Sequence, residues 1–240
     1  IIWLASDAAG KSYVAALTGY STKPLSTAPI NEAMERYGVL SDAFAYTYRE
    51  GDNQFYSLTF PSQNVTWVLD VGTSMWHQRS VNGGRDLPDH YTLWNDRHVV
   101  GDSSGKLWLM SQEYQTDNNG MGLKRVRSCQ HVKAENRVTF LDELEIEIEA
   151  GTASLPAGSV YPSSPANTEP MARLEVSKDG GHTWVDCGSK GFGAQGRYKK
   201  RLVWRRLGYS RNGWTFRLTI TDTVRTYILG AVGKFRAGTK

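Results

Sequence analysis

The sharpest local motif in this chain is Ser177-Lys178-Asp179-Gly180-Gly181-His182-Thr183-Trp184, which fits the Asp-box pattern Ser-x-Asp-x-Gly-x-Thr-Trp. The chemistry open to these residue types is mostly local. A short carboxylate in a hairpin turn accepts backbone N–H groups that would otherwise go unpaired. Glycines admit left-handed backbone angles, and a Trp has a flat apolar body to lay under the turn. Ser177, Asp179, Gly181, Thr183 and Trp184 are therefore read as a structural turn, ahead of a metal or sugar contact through Asp179 and His182.

Two charged stretches offer binding chemistry. Asp142 to Glu149 carries five acids and no base, whereas Gly188 to Thr221 carries nine bases and no acid. In the first, Leu144, Ile146 and Ile148 alternate with Glu145, Glu147 and Glu149, so a strand would put the glutamates on one face. A row of like charges repels itself unless something positive lies opposite. Arg197, Lys199, Lys200, Arg201, Arg205 and Arg206 supply a matching basic strip, with Leu202 and Trp204 alternating to a core face. Such basic density can also meet nucleic acid, where each phosphate contact releases counterions. Tyr198, Trp204 and Tyr209 resemble a stacking surface for bases only superficially. Charge pairing within the chain or between subunits is the expectation, with direct DNA contact second.

Bond-making chemistry is harder to find. No GxSxG, HExxH, phosphate-binding GxxxxGK[ST] or GxGxxG occurs. His77, His90, His98, His131 and His182 are scattered, without metal-ligand spacing. A glycosidase needs only two carboxylates in space, and acids are plentiful. A sialidase would also need an arginine cluster and several Asp-boxes, and the sequence shows one box. The expectation is no enzyme, no cofactor and no metal. Cys129 and Cys187 fit neither a zinc site nor a dense disulfide framework, and the sequence leaves open whether they pair.

The elements that must position these residues are strands. Aromatics make up 11% of 240 residues, with eight Trp and twelve Tyr, and the 24 glycines supply tight turns. A net charge of +4 permits an anionic partner without demanding one. No apolar run is long enough to cross a membrane as a helix. The chain opens on Ile1-Ile2-Trp3-Leu4, which already reads as a strand, so it is expected to be a fragment of a longer protein. One helix is expected, capped by Ser26 or Thr27, with Pro29 near its start, Glu32 one turn before Arg36, and Gly38 after its end. From residue 42 to 80, four short strands joined by tight turns have the length of one propeller blade. The pattern recurs weakly from His90 to Tyr114, as a structural rather than literal repeat. The expected fold is all-β: propeller-like blades with one helix over 1–136, then a C-terminal β region over 137–240. That region is a last blade or a sandwich, holding the Asp-box hairpin and a Pro-rich loop at 151–170.

Several stretches together resemble the packaged-DNA stabilisation proteins, also called tail hub or nozzle proteins, of short-tailed phages. They are Thr18-Gly19-Tyr20 with Leu25-Ser26-Thr27, Phe55 to Pro61, Thr66-Trp67, Trp76-His77-Gln78-Arg79 and Val100-Gly101-Asp102. In the C-terminal half they are Leu144 to Gly151, the Asp-box hairpin, and Gly196-Arg197-Tyr198 leading into Val203 to Gly208. The resemblance implies a propeller-based subunit of the virion tail, assembled in the host cytoplasm. It implies a homo-oligomeric ring of six copies that meets the portal or adaptor ring and other tail proteins. The ring would close the DNA channel and touch packaged DNA without sequence preference, with no membrane partner. Members of that family are longer, so N-terminal blades are expected to be missing here. The rival expectation is a sialidase-like or glycan-binding propeller acting on host surface carbohydrate.

Overall fold

The computed structural model describes residues 1–117, 120, 122–133, 137–149, 151, 169–194 and 196–238. They fall into two compact units, Ile1–Ser111 and Gln112–Lys240, and the described residues are all-β apart from one short helix and one 3-10 turn.

The first unit is three consecutive antiparallel meanders. β1 (Ile2–Ser6), β2 (Ser12–Thr18) and β3 (Ser21–Pro24) form the first sheet; helix α1 (Ala28–Glu35) follows. β4 (Phe44–Glu50), β5 (Asn53–Phe60), β6 (Val65–Asp70) and β7 (Met75–Arg79) form the second, and β8 (His90–Trp94), β9 (Arg97–Gly101) and β10 (Leu107–Met110) the third. Period-two patterning makes the second sheet two-faced. Tyr56, Leu58, Phe60 and Leu69 bury one face against Val14 of β2 and Ile30 and Met34 of α1. Burying a side chain of this size stabilises by roughly 1.5–3 kcal/mol. The opposite face carries Tyr46, which stacks on Tyr91 of the third sheet, and Tyr48, which meets Tyr91 at a tilt and His98 edge-on. Thr59 and Thr66, opposed in register and both buried, share a 3.0 Å hydrogen bond between hydroxyls, and Thr66 Oγ1 also accepts the Asp86 N–H. Consecutive sheets are therefore in side-chain contact, the first two with α1 in the same cluster. Three sheets are still fewer than the four blades of the smallest propeller, so the described residues form no closed propeller.

Helix α1 starts where Pro29 favours it, and Glu32 pairs with Arg36 at 2.5 Å. Its N-cap is Thr27, which makes no side-chain cap bond. The Ser26 hydroxyl instead accepts the Val14 N–H at 2.9 Å, tying the helix entry to β2.

The second unit is two antiparallel sheets around one core. β11 (Arg125–Ser128), β13 (Met171–Ser177), β14 (Val185–Gly191) and β16 (Thr215–Ile220) form a sheet of order β11-β16-β13-β14. β12 (Thr139–Ile148), β15 (Leu202–Ser210) and β17 (Ile228–Ala237) form the other, of order β15-β12-β17. Leu144, Ile146 and Ile148 of β12 and Leu202 and Trp204 of β15 pack in one cluster with Ala172, Leu174 and Val176 of β13 and Leu218 and Ile220 of β16. A bulge between Leu141 and Glu143 shifts the alternation by one residue, so Leu141 and Leu144 are both buried while Asp142 is exposed. Trp214, 1% exposed, donates its indole N–H to Thr139 Oγ1 at 3.0 Å.

The boundary between units falls at 111/112, earlier than the position after residue 136 suggested by the sequence. The reason is β11: its four residues pair with β16, some ninety positions later, so this strand belongs to the C-terminal sheets. Of the Pro-rich segment 151–170, only Gly151, Glu169 and Pro170 are among the described residues.

Candidate functional site

The charged surface of the second unit is built on β12, the central strand of its sheet. Flanked on both sides, β12 offers its glutamates to two neighbours at once. Glu143 lies opposite Arg205 of β15 and Lys234 of β17, and Glu145 lies opposite Val203 and Val232. Glu143 accepts from Arg205 Nε and Lys234 Nζ, each at 2.8 Å. Glu145 is held by both nitrogens of the Arg201 fork, and Asp142 by Arg236 at 3.2 Å. Lys234 and Arg205 hold the Glu143 carboxyl down to about 2, and Arg201 lowers that of Glu145. Arg236 does the same for Asp142, and Lys200, 2.7 Å from Glu169, for that carboxyl.

The acidic and basic strips thus meet across one sheet, although unevenly. Arg201 and Arg205 pair with Glu145 and Glu143, and Lys200 with Glu169. Arg197, Lys199 and Arg206 form no ion pair among the described residues, and all three are exposed. Glu147 and Glu149 are exposed too, outside the ladder. The sequence did not single out Lys234 and Arg236. Their signal was the spacing Lys-x-Arg, which puts two cations on one face of a strand.

The Asp-box hairpin joins β13 to β14. Asp179 accepts the Thr183 N–H at 2.9 Å and the Thr183 hydroxyl at 2.6 Å, and the Ser177 hydroxyl donates to it at 2.7 Å. Ser177 Oγ in turn accepts the Gly181 N–H at 2.8 Å, and Gly181, at φ +103°, has a backbone that side chains rarely tolerate. Trp184 donates its indole N–H to the Gly181 carbonyl at 3.0 Å and carries the Arg217 guanidinium 4.0 Å above its ring. These bonds, led by those from Thr183, push the Asp179 carboxyl well below the usual range. A carboxylate so occupied has little left for a ligand.

Two turns of the first unit, Asp7-Ala8-Ala9-Gly10-Lys11 and Asp102-Ser103-Ser104-Gly105-Lys106, repeat each other in sequence and share with this hairpin an Asp that accepts the N–H four residues on. In each, one carboxylate oxygen accepts the N–H groups two and four residues on, and the glycine sits at φ +80°. Asp102 also accepts the Trp108 indole N–H at 2.8 Å. The repeat Asp-x-x-Gly-Lys is visible in the sequence, on a scale far shorter than a blade.

Chemistry of other kinds finds little support in the geometry. Arg173 and Arg217 line a depression of about 530 Å³ on the β11-β16-β13-β14 sheet, together with Lys124 and Glu175. Arg217 is 2.9 Å from Glu175 and Arg173 is 3.0 Å from Asp186, so both guanidinium groups already have carboxylate partners. His131 bridges Thr215 Oγ1 and the Asn212 carbonyl, and His98 bonds Tyr91. Among the described residues no group of three or more His, Cys, Asp or Glu could hold a metal ion, and no helix could cross a membrane. Cys129 and Cys187 are free thiols, and burial pushes the Cys187 thiol up.

Comparison with solved structures finds the C-terminal domain of a chitobiase from Bacteroides fragilis (16% identity, 62% of this chain and 100% of that one, TM-score 0.30). It also finds an exo-β-1,3-galactanase from Phanerochaete chrysosporium with galactose (9% identity, 98% and 68%, TM-score 0.23). A third is a family 43 arabinoxylan arabinofuranohydrolase from Bacillus subtilis with cellotetraose (9% identity, 99% and 66%, TM-score 0.24). TM-scores this low carry no inference about fold or activity. No curated protein sequence matches the chain. Residues 124–232, from just before β11 to part-way through β17, match the family model described as Bacteriophage P22 Gp10, beta-sandwich.

Proposed function

We propose that this chain is part of the tail hub, or nozzle, of a short-tailed phage: a virion protein, assembled in the host cytoplasm, that closes the portal channel and stabilises packaged DNA. The observation that carries the proposal is the match of residues 124–232 to the P22 Gp10 β-sandwich, on the unit that also holds the charge ladder. In this reading the three stacked meanders are blades of a partial propeller. Six copies form a ring against the portal or adaptor ring and other tail proteins. Arg197, Lys199 and Arg206 are the cations left over for packaged DNA, since Lys200, Arg201 and Arg205 are engaged with carboxylates. The Asp-box residues serve the fold, and the subunit makes and breaks no bonds.

Electron microscopy of the full-length protein mixed with purified portal tests this directly. A ring seated on the portal is the expected result, together with loss of DNA-filled particles when the gene is deleted. Filled particles that persist without it would overturn the role. The rival, a sialidase-like or glycan-binding propeller, calls for arginines open to a substrate carboxylate, whereas Arg173 and Arg217 are matched to Asp186 and Glu175. Hydrolysis of any member of a glycan panel would revive it.

A further inference from the structure

β17 is an edge strand. Among the described residues no strand pairs with its outer side, so its ten residues turn every second N–H and C=O outward. Native sheets blunt such edges with short strands, Pro, charged side chains, bulges or a cover; β17 carries a bulge at Leu229, and its charges, Lys234 and Arg236, are bound to Glu143 and Asp142 of β12. β17 is long and has no Pro, and Leu229 and Val232 stand 65% and 64% exposed, with Ile228 and Phe235 also open. An edge of this kind is suited to strand addition.

The register identifies what the added strand would be. Val232 lies opposite Glu145 and Lys234 opposite Glu143, so both share the charged face of the sheet. Ala231 opposite Ile146, Gly233 opposite Leu144 and Phe235 opposite Leu141 share the core face, to which Leu229 also belongs. A two-fold axis normal to the sheet reverses strand direction and keeps faces together, so one residue must stand opposite itself. With Lys234 at the axis, two ammonium groups collide, which is destabilising. With Gly233 there, Val232 meets Lys234, and with Ala231 there, Leu229 meets only Gly233. With Val232 at the axis, Val232 meets Val232 and Leu229 meets Phe235 on each side. Lys234 then falls beside Gly230, which has open space around its Cα and lies opposite the exposed Glu147. The cation of one copy thereby comes next to a carboxylate of the other that is outside the ladder.

We propose that β17 pairs with β17 of a second copy of this chain, antiparallel about a two-fold axis at Val232, to give one continuous six-stranded sheet. A two-fold pair is closed and does not extend into a ring. This contact is therefore separate from the ring contacts proposed above, and either reading can fail alone.

Sedimentation velocity of the chain over a range of concentrations gives a dimer that Val232→Lys abolishes, with an unchanged melting temperature at dilutions where both chains are monomeric. For the register, Cys129→Ser and Cys187→Ser are combined with Val232→Cys. Self-opposed residues in antiparallel strands have Cα atoms about 4.5–5.5 Å apart, inside the span of about 4.4–6.8 Å that a disulfide bridges. Mild oxidation then links two copies of the Val232→Cys chain, whereas Val185→Cys, equally exposed on β14, stays unlinked. Mixing Leu229→Cys with Phe235→Cys chains gives the mixed dimer in preference to either homodimer. A chain that sediments as a monomer throughout, or a dimer that survives Val232→Lys, overturns the proposal. So does cross-linking at Val232→Cys no faster than at Val185→Cys.

Discussion

Replacing Leu174 by Ala tests whether the second unit is held by its sandwich core. Leu174 is fully buried at the centre of the cluster that joins the two sheets. Removing three carbons forfeits about 2.4 kcal/mol of transfer free energy at about 0.8 kcal/mol each. A cavity term follows, because β13 is paired on both sides, to β16 and to β14, and its backbone cannot sink to fill the hole. At about 24 cal/mol per Å³ of residual cavity, an unrelaxed void of about 60 Å³ adds about 1.4 kcal/mol. The expected loss is therefore about 4 kcal/mol, a large share of the roughly 5–15 kcal/mol that holds a domain together. Urea titration followed by hydrogen exchange localises it: β12, β13, β15 and β16 should lose protection while β5 and β6 of the first unit keep theirs. Val126→Ala, on the half-exposed β11, is the comparison and should cost less than about 0.5 kcal/mol. A Leu174→Ala loss below about 1 kcal/mol, or equal loss of protection in β5 and β6, would refute a self-contained sandwich core.

Three further outcomes follow from the same geometry. The Glu143 carboxyl is lowered from 4.5 to about 2 by Lys234 and Arg205, so its contribution is fully present above pH 4.5 and is lost as pH falls toward 2. Urea midpoints measured between pH 6 and pH 2 should drop across that window, and Glu143→Gln should flatten the drop. Thr66→Val keeps the shape of a buried side chain but leaves the Asp86 N–H and the Thr59 hydroxyl without their partner, at a cost of about 1–3 kcal/mol in the first unit. Equilibrium denaturation followed by hydrogen exchange of β5 and β6 checks it. Replacing Arg197, Lys199 and Arg206 by Ala should lower the salt dependence of duplex DNA binding, by up to about 0.9 in log–log slope for every phosphate no longer neutralised. Filter binding over a salt series reads the slope, and an unchanged slope removes these residues from any DNA-facing role.

Local periodicity made most strands legible. The stretch from 42 to 80 shows period-two apolar positions between turn residues, and β4 to β7 fall within it. The acidic alternation of residues 144–149 likewise marks β12. What the sequence hid was the outcome of competition between distant partners. Ser26 has the side chain of a helix cap, but β2 lies close enough for Val14 to take its hydroxyl. The short Arg125–Ser128 segment has no pattern of its own, and only its pairing with Thr215–Ile220 places it in the second unit. At the candidate site, the charges were plain and their matching was not. The bulge after Leu141 decides that Glu143, rather than Asp142, meets both Arg205 and Lys234, and no spacing announces a bulge.

That matching changes what a basic stretch means. Nine cations between Gly188 and Thr221 look like a nucleic-acid footprint when counted along the chain. Folded, Arg201 and Arg205 neutralise β12, Lys200 holds Glu169, and Arg217 is divided between Glu175 and the ring of Trp184. A phosphate approaching those residues would have to displace a carboxylate already in hydrogen-bond contact, and counterion release offers no gain where the counterion is part of the protein. Only cations outside the pairs retain a full counterion-release term. The positive surface charge open to any polyanion is thus set by which bases the carboxylates of β12 and their neighbours leave over.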